Sequence, residues 1–387
     1  MRIALFAWES LHSIPVGGVG VHVTELGAAL YRRKHEVHIF TRTGHNQPHY
    51  SNIDGVHYHR CSFGLSPNFV DEINNMCRAF VKCYFEVEDS IGKFDIVHAH
   101  DWLASNAVTW IKEGRGRKTV LTMHSTEYGR NGNKHYAGQS QRVTDHERHG
   151  TYCADRVITV SNQLKDEIKW LYQVPDQKAR VIYNGVNAQA FDHSVDSGVI
   201  KKQYGIGPLD PMVLFVGRMV VQKGPDILVR TIPSVLKFYP STKFVLVGDG
   251  HMKHDINTIV HQLGVAHAVR MLGGKQGREV VDLFKACDIV AVPSRNEPFG
   301  IVILEGWSAQ KPVVSTKRGG PAEFVWHGVN GLQVDDTPDS VAWGLGTLLA
   351  DHNHCRWMGR NGRAAVDAAF SWDSIAEQTE QVYTSVA

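Results

Sequence analysis

One pattern repeats along most of the chain: a short run rich in Val, Ile and Phe, then a segment with apolar residues at helical spacing. In the first half the short runs are 2–8, 36–42, 94–100, 118–124, 156–161 and 179–185. In the second half they are 212–218, 243–250, 268–274, 288–294 and 312–316. These runs are apolar on both faces, which suits parallel strands covered by helices on each side. Strand and helix in alternation predict doubly wound α/β sheets. At 387 residues the chain is too long for one such unit and suits two. The alternation breaks at 184–197, where Asn-Gly marks a linker. The expected organisation is an N-terminal Rossmann-like domain over 1–190 and a C-terminal one over 198–370. A last helix over 371–387 is expected after a break near "FSWDS". Two such domains facing a central cleft would place ligands beyond the C-terminal ends of their strands.

Composition narrows the function classes. With 41 basic and 39 acidic residues the net charge is +2, and no nucleic-acid partner is expected. No window approaches the apolar length of a membrane span, so none is expected. The opening "MRIALFAW" reads as a buried strand rather than a leader, because no small-residue cleavage site follows. Six scattered cysteines without a C-x-x-C pair suggest reduced thiols and a cytoplasmic location.

The chemistry-bearing stretches follow strands. In "PVGGVGVHVTEL" (15–26), Gly17, Gly18 and Gly20 enter a helix whose free N–H groups and dipole suit a phosphate. A plain glycine turn reads equally well. In "VGRMVVQKG" (216–224), Arg218 and Lys223 flank a strand-to-helix turn, as a diphosphate needs; two solvated bases are the alternative. In "SRNEPFGIVILEGWSAQ" (294–310), Glu297 precedes a helix and Glu305 lies more than a turn inside it, among Ile303, Leu304 and Trp307. That spacing suits two parts of one elongated ligand better than a paired-carboxylate glycosidase. A cap acid and a surface acid are the plainer readings.

In "VHAHDWLA" (97–104), His98 and His100 are expected on opposite faces of the sheet, one of them with Asp101 facing the ligand. His-x-His plus one Asp is an incomplete zinc set. "TMHSTEYGR" (122–130) adds His124 and Glu127, and "DHERH" (145–149) reads as a polar helix face. Gly319 and Gly320 in "RGGPAEFV" (318–325) are placed to cradle a phosphate or to make a turn.

Together "GGVGVHV", "HAHDW", "CADRVITVS", "VIYNGVN", "VGRMVVQKG", "EPFGIVILE" and "GGPAEFVWHGVNG" resemble the retaining glycosyltransferases of family 4, which have the GT-B fold. The resemblance runs over nearly the whole chain and implies that the helix over 371–387 crosses back to the first domain. It implies that Glu297 contacts donor-sugar hydroxyls and that Glu305 binds the nucleotide ribose. Phe299, Gly300 and Ile301 would complete the donor-binding turn. It implies that Arg218 and Lys223 bind the diphosphate and stabilise the leaving group, with backbone donors from Gly18 and the Gly319–Gly320 turn. His100 would sit near the anomeric carbon. His124, Glu127 and Asp101 would lie on the acceptor side. Transfer would proceed with retention, with the departing phosphate assisting deprotonation of the acceptor, and with no metal or other cofactor. "VDDTPD" (334–339) is then a loop rather than a metal motif.

The glycogen-synthase-like members are the nearest match, through "HAHDWLA" and "TMHSTEYGR". This implies glucose transfer from UDP- or ADP-glucose to a glucan or small sugar. The first loop, "PVGGVG", departs from the classical bacterial type by lacking a lysine before its glycines. A mannosyl- or N-acetylglucosaminyl-transferase acting on a lipid or sugar phosphate, and a nucleotide-sugar epimerase, are the alternatives. The stretch 273–284 would supply the base pocket.

Overall fold

A computed structural model describes residues 1–386. The chain divides into two compact units. The first holds 1–129, 134–184 and 372 to the C-terminus; the second holds 130–133 and 185–371.

The first unit is built on an eight-stranded sheet. Its strands are β1 (Arg2–Phe6), β2 (Glu36–Arg42), β3 (Tyr50–Ile53), β4 (Val56–Cys61), β5 (Ile96–His100), β6 (Lys118–Met123), β7 (Arg156–Thr159) and β8 (Ala179–Val181). Their order is β3-β4-β2-β1-β5-β6-β7-β8, and every pairing is parallel except that of β3 with β4. The chain winds outward from β1 in both directions, so the ends of β1 and β5 lie at the switch point where such sheets bind ligands. Helix Gly18–Arg32 packs Val23, Leu26, Ala29 and Leu30 onto this sheet. The hairpin of β3 and β4 was not anticipated. Its signal is the Asp54–Gly55 pair, with φ of 50° and 87°, as the two-residue turn of a hairpin requires.

The second unit carries a six-stranded, wholly parallel sheet. Its strands are β9 (Met212–Val216), β10 (Lys243–Val247), β11 (Val269–Gly273), β12 (Ile289–Val292), β13 (Val313–Thr316) and β14 (Gly331–Val334), in the order β11-β10-β9-β12-β13-β14. β14 was also unforeseen, being short and only half apolar. Here β9 and β12 lie at the switch point. A buried cluster around Val213, Phe215, Leu228, Phe244 and Leu345 fills the interior.

Two boundaries differ from expectation. The stretch 184–197 is not a free linker: Phe191 is buried and His193 Nε2 lies 2.7 Å from Asp282 Oδ1 within the second unit. The terminal helix runs Trp372–Thr384 and packs in the first unit, burying Trp372, Ile375, Ala376, Val382 and Tyr383. The expected end of that helix, Ala387, lies outside the described residues.

Candidate active site

The second unit gathers most of the expected donor residues at its switch point. β12 ends at Val292, and the chain turns through Ser294, Glu297 and Pro298 into helix Ile301–Ser308. Glu297 is only 3% exposed. Its carboxylate accepts two hydrogen bonds from Lys223 Nζ, at 2.8 and 2.7 Å, and one from Ser294 Oγ at 2.9 Å. A buried carboxylate held by an ammonium and a hydroxyl is fixed in its aim. Ser294 was not anticipated. The Ser-x-x-Glu spacing, familiar from capping boxes, was the available signal.

Lys223 closes the turn after β9. Gly224 follows it with φ of 64°, and a Cβ there would stand 2.2 Å from the Pro293 carbonyl oxygen. This close approach brings the Lys223 and Glu297 turns together. Arg218 is exposed at the end of β9. Arg295, inside the acidic motif, is committed to a two-pronged pair with Asp226 at 2.8 and 2.6 Å.

The Gly319–Gly320 turn does something other than leave free donors for a phosphate. Gly320 N–H donates to the Glu297 carbonyl at 2.8 Å, and Glu297 N–H donates to the Arg318 carbonyl at 2.9 Å. With φ of 102°, a Cβ on Gly319 would lie 1.9 Å from that same Glu297 oxygen. The glycines let the chain lie flat against Glu297 and fix its backbone. Phe299 is also held by packing. Its ring packs on Phe324 and Phe370, at 5.0 and 6.2 Å between centroids, so only its backbone can face a ligand. Gly300, with φ of 98°, opens the helix, and half-buried Ile301 follows it.

Glu305 contrasts with Glu297. It is half-buried on the helix, and its carboxylate has no side-chain partner among the described residues. Burial pushes its pKa from the ordinary 4.5 to about 7. A carboxylate left without donors in such a place is set to accept hydroxyls from a ligand.

The first unit assembles four histidines at the ends of β5 and β6. His98 and His100 lie on one face, with ring centroids 4.3 Å apart. Residues two apart in a pleated strand share a face, so the expectation of opposite faces was wrong. His98 is tied to Tyr383 OH and Thr122 Oγ1, each at 2.7 Å. His100 Nδ1 lies 3.2 Å from His124 Nε2. His22, from the glycine-led helix, packs its ring 5.1 Å from His100 and 4.5 Å from His124. It was not anticipated as a site residue, although it stands in the quoted "GGVGVHV". Burial lowers all four pKa values, that of His124 to about 3, so the rings are neutral at pH 7.

Asp101 carries φ of 60°, a left-handed conformation rare outside glycine and costly unless its surroundings enforce it. The surroundings do: its N–H donates to the Thr122 carbonyl at 2.8 Å, and its Oδ1 accepts the His124 N–H at 2.7 Å. Asp101 thus acts as a brace between β5 and β6. Glu127 begins a short helix, Glu127–Arg130, and its N–H donates to Glu147 Oε2 at 3.0 Å. Glu147 also accepts from Tyr172 OH and is fully buried, so "DHERH" is not simply a polar face.

The helix that begins at Gly18 does not present the whole free anion cradle expected of it. The Glu9 carboxylate accepts from Val16 N–H at 2.7 Å and Gly17 N–H at 2.5 Å. An acid three residues past β1 already holds this loop.

Comparison with known proteins places these features in context. The profile described as "Glycosyltransferase Family 4" matches residues 16–190, and that described as "Glycosyl transferases group 1" matches 196–365. An uncharacterized glycosyltransferase of Methanocaldococcus jannaschii is 36% identical over 99% of this chain and 98% of its own. A D-inositol 3-phosphate glycosyltransferase of Xylanimonas cellulosilytica is 30% identical over 99% and 96%. A glycogen synthase of Mycobacterium tuberculosis is 28% identical over 99% and 94%. Among solved structures, sucrose-phosphate synthase of Thermosynechococcus elongatus superposes with a TM-score of 0.85 at 24% identity, covering 99% of this chain and 98% of that one. Anabaena HepE in complex with UDP-glucose does so at 0.79 and 22%, covering both chains fully. At these identities the structural likeness speaks for the fold.

Proposed function

This chain belongs to glycosyltransferase family 4, with the GT-B fold, and we propose that it transfers a hexose, with retention, from a nucleotide diphosphate sugar. The observation that carries this reading is buried Glu297 held by Lys223 and Ser294, with Glu305, whose carboxylate has no side-chain partner among the described residues, eight residues further on. Glu297 takes the donor sugar's hydroxyls. Glu305 takes the ribose diol, whose two O–H groups supply the donors its carboxylate lacks. Lys223 and Arg218 meet the charge that grows on the departing diphosphate, where fixed cations contribute most. Lys223 already faces a carboxylate, so it is aimed before the donor arrives. His100, neutral and buried, serves the sugar near its reacting carbon.

Glucose is the favoured sugar and UDP or ADP the favoured carrier. The HepE, bound to UDP-glucose, and a plant starch synthase, bound to ADP, share the fold. The acceptor is a glucan or a small sugar. Beside Glu127, the rings of Tyr128, His135 and Trp170 lie 4.8 to 6.3 Å apart with Trp170 exposed, a surface on which a sugar ring can stack. The inositol-phosphate relatives favour a second reading, a sugar moved onto a phosphorylated polyol. No helix of the described residues is long and apolar enough to cross a membrane. Six free thiols fit a cytoplasmic setting.

The test is nucleotide release by the purified chain from UDP-glucose, ADP-glucose, GDP-mannose and UDP-N-acetylglucosamine. Each is run alone, with maltooligosaccharide and with inositol phosphate. Glucan-dependent release from a glucose donor is the expected result, and release that needs inositol phosphate selects the second reading. Glu297→Gln should lower turnover at least about a hundredfold with an unchanged circular dichroism spectrum. Full turnover in that variant would remove Glu297 from the site.

A further inference from the structure

We infer that His22, His100 and His124 together form a binding site for one divalent ion of zinc's type. One ring nitrogen from each lies within 4.8 Å of the others, and among the described residues no other His, Cys, Asp or Glu group meets that condition. His100 Nδ1 and His124 Nε2 are already 3.2 Å apart. Two imidazoles on one tetrahedral zinc, with Zn–N near 2.0–2.1 Å, hold their nitrogens about 3.3 Å apart. The third ring has to close by an ångström or so.

The independent observation is unused ligand capacity in a buried place. His22 Nε2 has no hydrogen-bond partner, although the residue is only 4% exposed. In His22 the reason is visible. Its Nδ1 lies 2.7 Å from Asn184 Oδ1, an acceptor only, so Nδ1 carries the proton and Nε2 a bare lone pair. An outer partner that fixes the tautomer and leaves the other nitrogen to the metal is the usual setting of a ligating histidine.

The three ligands stand on separate rigid supports: the helix after the glycine loop, the tip of β5, and the residue after β6. Three imidazoles without a carboxylate suit zinc, copper or nickel rather than magnesium or calcium. Three protein ligands leave a fourth position for water.

The experiment titrates cobalt(II) into the full chain after dialysis against a chelator, following visible absorption. One equivalent should raise intense tetrahedral bands, and zinc should abolish them. His22→Asn should weaken binding about a hundredfold or more, and Asn184→Ala, which removes only the orienting partner, by roughly ten- to a hundredfold. His57→Gln, in a separate histidine stack with His38, should leave binding unchanged. Circular dichroism checks that each variant folds. Absence of the bands, or bands of parental strength in His22→Asn, overturns the site. One consequence rests on the transferase reading above: zinc that takes His100 should inhibit turnover, reversibly with EDTA. One-to-one binding without inhibition would remove His100 from the reaction and leave the metal site standing.

Discussion

Glu297 and Glu305 share one motif, yet their surroundings assign them opposite electrostatics. Glu297 is neutralised by Lys223, whereas Glu305 is half-buried with no donor, which pushes its pKa up to about 7. The sign of the stability effect follows. A carboxyl whose folded pKa is raised adds stability that is complete below its ordinary value of 4.5 and lost as pH rises through about 7. Partial exposure trims the size to about 1–3 kcal/mol. Glu305→Gln should therefore gain in melting temperature relative to the parent between pH 5 and pH 8, while weakening nucleotide binding. A difference in melting temperature that does not change with pH would contradict this account. The sequence pointed to both acids through their apolar neighbours. It could not tell which one has a partner, because Lys223 lies 74 positions from Glu297.

At the scale of elements, the site depends on turns that touch. Gly319 lies flat on the Glu297 backbone, and an added methyl has nowhere to go. Gly319→Ala should cost about 3 kcal/mol or more, lowering the melting temperature of the second unit by several degrees and abolishing turnover. Gly264 offers the control. Its φ is also positive, at 69°, but a Cβ there meets open space, so Gly264→Ala should cost only about 1 kcal/mol. Equal losses in the two variants would show that backbone conformation, and not contact with Glu297, makes Gly319 necessary. The sequence marked Gly319 as a turn or phosphate cradle. The close approach of residue 297 was invisible in it, being a contact between segments. The central strands were legible because burial on both faces makes them continuously apolar. The β3–β4 hairpin was not, since its runs are short and carry Tyr, His and Arg.

At the scale of the molecule, the chain leaves its first unit and returns to it. Helix Trp372–Thr384 lies on the first unit, with Arg32 paired to Asp373 and Arg33 to Glu380. Tyr383 is fully buried and bonds His98. Deleting 372–387 should therefore expose apolar surface of the first unit, with its core residues Leu26 and Leu30, and leave His98 short of a partner. Hydrogen exchange should show lost protection across β1, β2 and β5, while β9, β10 and β12 keep theirs. Equal loss in both units would mean that they do not fold separately.

Sequence by itself determined the α/β class, and it nominated two units and the residues proposed for donor chemistry. Periodicity, glycine placement and local motifs are short-range properties, and they are written along the chain. Tertiary structure alone decided that Lys223 holds Glu297, that Glu9 occupies the first glycine loop, and that His22 joins His100 and His124. The first and last of these bring residues far apart in the chain together at the end of a sheet, and the second depends on how a short loop folds back on the acid before it.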